Sequence, residues 1–150
     1  VSRNTSSPTP EALHALAEDL RVAGMKLRRR LREESNVGDF TPSQMQVLAL
    51  LEREGPATVT ALARAQGMRP QSMGETLSAL KAAGFVNGAP DPNDGRQTVL
   101  SLTPAFRKKI KAARAAREDW LFRTIQTHFS PAEQQQLAIG VDLLKRLIDS

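Results

Sequence analysis

The sequence predicts a mainly α-helical chain with one small β-hairpin and long helices at both ends. Three observations predict it. Two short helical segments flank a tight turn at Gln66-Gly67-Met68. After Gly84 the apolar period changes from 3.6 residues to two, across Phe85–Asn87 and again across Thr98–Leu102. Long apolar stripes at helical spacing lie on either side of this centre. Helix, glycine turn, helix, then hairpin is the order of a winged helix-turn-helix.

Residues 1–10, VSRNTSSPTP, are polar and rich in Ser, Thr and Pro, and read as a flexible N-terminal arm without the apolar core of a signal peptide. Residues 11–150 then form one domain. Its first helix, Glu11 to Ser35, carries Leu13, Leu16, Leu20, Leu27 and Leu31 on one stripe. Asn36 to Phe40 is a loop. Thr41-Pro42-Ser43-Gln44 starts the next helix: Thr41 as N-cap, Pro42 at the first position and Gln44 closing a capping box. Met45, Leu48 and Leu51 are expected to point inward. Gly55-Pro56 stops that helix, and Thr58 caps a short one through Ala65. Pro70 opens another, to Ala83. The stretch GAPDPNDGRQ between the two strands is dense in turn formers and predicts a long polar hairpin tip. Thr103-Pro104 begins a helix to about His128, and Ser130-Pro131-Ala132-Glu133 begins the last, with Leu137, Val141, Leu144 and Ile148 on one stripe. Residues 41–103 can bury a core of their own. The outer helices, 11–36 and 104–150, have stripes with no partner layer in the chain, which a symmetric homodimer supplies.

Composition narrows the function. The net charge is +5, which suits a polyanionic partner. Aromatic residues are only 4%, which argues against stacking on single-stranded bases. The chain has no cysteine, so thiol catalysis, disulfides and thiol redox sensing are excluded. No apolar run reaches the ~20 residues that span a bilayer, and a cytoplasmic location with no membrane partner is expected. His14 and His128 stand far apart without metal-ligand spacing, and no nucleophilic triad or phosphate-cradling glycine loop is present. Neither an enzyme nor a metal or cofactor is expected.

The segment from Pro70 has two faces. At 100° per residue Met73, Leu77 and Leu80 cluster inward, and Gln71, Ser72, Glu75, Ser78, Ala79 and Ala82 lie opposite. A small, polar outer face fits a major groove ~12 Å wide. Gln71 suits an adenine edge, Ser72 a base or phosphate, and Glu75 the amino group of cytosine. Arg69 at the helix start is placed for phosphate, with the free amides there. Thr76, on the flank, reaches a phosphate or a thymine methyl. In the hairpin tip, Asp94 is expected to hold the Arg96 guanidinium in a bidentate pair, aiming Arg96 at the minor groove. A solvated helix face and an ordinary turn are the plain alternatives.

The segments TPSQMQVLALL, TVTALARAQGMRPQSMGETLSALKAAGFV and DPNDGRQTVLSLT, in this order and spacing, resemble the MarR family of bacterial transcription regulators across about residues 11–148. The resemblance implies a homodimer interlocked through its outer helices, a recognition helix at 70–83, a wing at 85–102 and a wing arginine at Arg96. It also implies a repressor of a pseudo-palindromic double-stranded DNA site, released by a small aromatic or phenolic effector. Met25 and Met45 are candidates to line the effector site. Trp120 is a candidate for its wall or for dimer packing. Gly95 stands where the family has a basic residue, Pro104-Ala105-Phe106 where it has glycine, and Glu75 where a basic residue is frequent. A non-specific or architectural DNA binder without effector control is the alternative. Arg29 and Arg30, four residues before Glu33 and Glu34, are expected to pair with them. Arg107-Lys108-Lys109 with Lys111 is an exposed helix face or a source of attraction for the DNA backbone.

Overall fold

A computed structural model describes residues 6–150. Residues 1–5 of the expected arm lie outside the described residues. Residues 6–9 are exposed and without regular structure, and Pro10 is already helical. Six helices and three strands follow, namely α1 Pro10–Glu34, α2 Pro42–Glu54, β1 Ala57–Thr58, α3 Val59–Ala65, α4 Pro70–Ala82, β2 Val86–Pro90, β3 Thr98–Leu102, α5 Pro104–His128 and α6 Pro131–Ile148.

The helix starts are written locally. Thr9, Thr41 and Ser130 each precede a proline at the first helical position, and each hydroxyl accepts a backbone N–H of the first turn. Gln44 and Glu133 close the two capping boxes by accepting from the N-cap amides, both at 3.0 Å. Ser130 donating its amide, and then its hydroxyl contact, hold the Glu133 carboxyl below its ordinary range.

The sheet is antiparallel in the order β1-β3-β2, with Ala57 opposite Leu100 and Val86 opposite Leu102. Two of its features depart from expectation. Ala57–Thr58 adds a third strand, so Thr58 both pairs with Val99 and caps α3. The second strand runs on to Pro90 rather than ending at Asn87, because β3 pairs with it along its whole length. Asn87–Pro90 are all exposed, so this half carries no apolar alternation.

Contacts divide the chain into two compact units: Val37–Ala115, and the residues up to Asn36 with Ala116–Ser150. In Val37–Ala115 the core joins Val47, Leu48 and Leu51 of α2 to Leu62 of α3, Met73, Leu77 and Leu80 of α4, and Val86, Leu100 and Leu102 of the sheet. Phe106 closes it, in ring contact with Phe85 at 4.7 Å between centroids. Met45 does not join this core: it is 41% exposed, and Val47, wholly buried, takes the inward position. The packed face of α2 keeps Leu48 and Leu51 and takes Val47 in place of Met45.

In the other unit α1 and α6 contain no buried residue. The Arg117 guanidinium of α5 donates to the Leu31 and Ser35 carbonyls at the end of α1. Arg30 lies over the Trp120 ring, 4.5 Å from its centroid, and takes both Glu33 and Glu34 as ion partners. The expected Arg29–Glu33 pair does not form, because Arg30 reaches both carboxylates. Among the described residues no helix is long and apolar enough to cross a membrane.

Candidate nucleic-acid interface

The turn between α3 and α4 is closed by local hydrogen bonds. Met68 donates its amide to Ala63 O at 2.9 Å, and Gly67 takes φ +61°, which only glycine adopts without cost. This turn sends α4 across α3 with Met73, Leu77 and Leu80 inward, none more than 3% exposed. The opposite face is then fixed by helical period. Gln71, Ser72, Glu75, Ser78, Ala79 and Ala82 are all exposed on it. Thr76 is half-buried at the flank and donates its hydroxyl to Ser72 O at 3.3 Å.

Arg69 is the N-cap of α4 and is exposed, with no side-chain cap bond. The first-turn amides of α4 therefore have no hydroxyl to satisfy them, in contrast to those of α1, α2, α3 and α6. Such amides at a helix start suit an anion.

The hairpin tip is built from two Asx turns. Asp91 Oδ1 accepts from the Asn93 amide at 3.0 Å, and Asp94 Oδ1 accepts from the Arg96 amide at 3.1 Å. This corrects the expected bidentate pair. Asp94 holds the backbone of Arg96, not its guanidinium, because the amide two residues on is brought within reach by the chain itself. Arg96 is exposed, and its guanidinium has no ion pair among the described residues. The tip and α4 belong to the same unit. One bond, which joins the start of α5 to the end of α4, has no signal in the sequence. Buried Thr103 caps α5 by accepting from the Phe106 amide, and its hydroxyl donates to Gly84 O at 2.9 Å, just after α4. The cap was legible as Thr-Pro; the second bond spans nineteen residues and leaves no local signal.

The three effector candidates fall in different places. Met25 is 59% exposed and lines a shallow depression of about 300 Å³ with Lys26, Arg28, Arg29 and Arg32. Trp120 is half-buried beneath Arg30. Met45 stands on the exposed side of α2, in the other unit.

A helix-turn-helix followed by a two-stranded wing, whose sheet is completed by β1 from before α3, defines the class: a winged-helix regulator of transcription. Comparison with known proteins narrows it. Residues 38–97 match the model of the MarR family. An HTH-type transcriptional regulator of Mycobacterium tuberculosis is 38% identical over 134 residues, 89% of this chain and 93% of that protein. A regulator protein from Pseudomonas aeruginosa, 33% identical, superposes with a TM-score of 0.75 over 95% of this chain and 99% of its own. A mutant of MepR from S. aureus, solved bound to an oligodeoxyribonucleotide, shares the fold with a TM-score of 0.66 at 19% identity, over 88% of this chain and 97% of its own. The chain belongs to the MarR family, whose members are regulators of transcription and not enzymes.

Proposed function

We propose that this chain is a homodimeric regulator that binds a specific, pseudo-palindromic site on double-stranded DNA. The observation that carries the reading is α4: its apolar side is fully sealed in the core while its other side is short, polar and exposed. In this reading residues 41–103 are the DNA-binding lobe, and 11–36 and 104–150 are the dimerisation helices. Gln71, Ser72 and Glu75 face base edges in the major groove. Arg69 and the uncapped amides of α4 hold a phosphate, with Thr76 beside them. Arg96 enters the adjacent minor groove from a tip that Asp94 keeps folded.

The dimer is supported by the outer helices. Leu13, Leu16 and Leu20 of α1 and Leu137, Val141 and Leu144 of α6 line an apolar groove of about 740 Å³. All six are more than a third exposed in the isolated chain. A continuous apolar groove of that size is a surface that a second chain covers. Pairing would set two copies of α4 to read major grooves one helical turn apart, ~34 Å.

The family resemblance supports repression relieved by an aromatic or phenolic effector, for which Met25, Met45 and Trp120 are separate candidate contacts. An effector that prefers a different spacing of the two lobes lowers DNA affinity by shifting the population. Competition binding tests the core of the reading. A labelled site should be displaced by unlabelled site at a concentration roughly 1,000-fold lower than by random duplex. Equal displacement by both would make the protein a non-specific DNA binder.

A further inference from the structure

We propose that Lys81 contacts a phosphate of the bound duplex from the notch between α4 and the wing, where it lies beside Gly88. The inference rests on the DNA-binding reading above and adds a residue that the outward face of α4 does not include. Along α4 the spacing of three, four and three puts Gln71, Gly74, Ser78 and Lys81 on one flank. Period two on the hairpin puts Val86, Gly88 and Pro90 on one face, opposite Leu102, Leu100 and Thr98. At its base this face is core, with Val86, Leu100 and Leu102 buried. Further out it meets Lys81.

Gly88 has no positive φ, so its backbone does not require glycine. The space around it is tight. A Cβ at this position would stand 2.9 Å from Thr98 Cγ2, 3.2 Å from Lys81 Nζ and 3.6 Å from Lys81 Cε. The lysine thus lies where a side chain of residue 88 would go. Its ammonium has no ion pair among the described residues. An unneutralised cation is therefore held between the recognition helix and the wing. With α4 in a major groove and Arg96 in the next minor groove, the strand dividing the two grooves must cross between α4 and the hairpin. That path brings a phosphate to Lys81, which binds it as a point charge.

Binding is measured for the wild type and for Lys81→Gln, Lys81→Arg and Gly88→Ala, on a selected site and on random duplex, across a salt series. Loss of one phosphate contact should flatten the slope of log affinity against log salt by about 0.9 in Lys81→Gln. Affinity near 0.1 M salt should fall on the order of fivefold. The ratio of specific to random binding should hold, since phosphates carry no sequence information. Lys81→Arg should keep the slope, and so should Gly88→Ala, because the flexible lysine tip clears the added methyl by a shift of a few tenths of an ångström. An unchanged slope in Lys81→Gln overturns the proposal, as does a loss of affinity equal at every salt concentration, which would mark Lys81 as a packing residue. Failure of the underlying reading looks different: the wild type would then bind no duplex in a salt-dependent way.

Discussion

Arg96 and Asp94 sit two residues apart and do different work. Asp94 folds the tip by accepting a backbone amide, which leaves the arginine side chain free. Replacing Arg96 with alanine should therefore cost about 1.5–3 kcal/mol of DNA binding, a charged hydrogen-bonding group lost. Asp94→Ala should cost less, through a looser turn, and gel-shift titrations of the two variants check the order. The pairing of Asp94 was not legible in the sequence. An acidic residue two before an arginine serves a guanidinium and an amide equally well in print, and only the turn decides. At Glu133 the capping box makes a pH prediction. Its carboxyl is held below the ordinary value of 4.5 by the Ser130 amide first and the Ser130 hydroxyl second. A lowered folded value means that its support of α6 is present above the unfolded value. That support fades as pH falls through the folded one. An NMR titration of the Glu133 side chain should place its midpoint below that of an unstructured peptide; a midpoint at or above it would contradict the box.

Among the elements, α4 in the proposed reading separates stability from recognition by face. Leu77 is 3% exposed within the core, and Leu77→Ala should destabilise by about 2–5 kcal/mol. Gln71→Ala should leave stability within ~0.5 kcal/mol. It should weaken discrimination at one base position by about 1–3 kcal/mol. Chemical denaturation and binding to single-base variants of the site measure the two effects. Thr103→Val keeps the shape and removes both bonds of the hydroxyl. It should cost about 1–3 kcal/mol, because Gly84 O loses its side-chain donor in a part-buried place. Helices and caps were legible because their signals are local: a hydroxyl, a proline, and a partner three residues on. The strand at Ala57–Thr58 was not, since two residues carry no period and its pairing lies some forty residues away at Leu100 and Val99. The packed face of α2 was misjudged at Met45 for a related reason. Met45 and Val47 are both apolar, and which one is buried depends on the angle at which α2 meets α4 and the sheet.

At the scale of the whole molecule, the central unit closes a core from its own elements, whereas α1 and α6 leave theirs uncovered. The candidate interface was largely legible, because a recognition helix must show one apolar and one small polar side, and both follow from sequence period. In the proposed reading, a dimer partner and effector contacts would depend on surfaces that only assembly completes. Sedimentation should show a dimer at micromolar concentration, and Leu16→Glu combined with Leu144→Glu should yield monomers that no longer bind DNA tightly. Selection of bound duplexes from a random pool tests the central claim most directly. The account predicts enrichment of a two-fold related sequence whose half-sites are centred about 10 bp apart, or a multiple of it. A pool that stays random after repeated rounds, or a single unrepeated half-site, would contradict it.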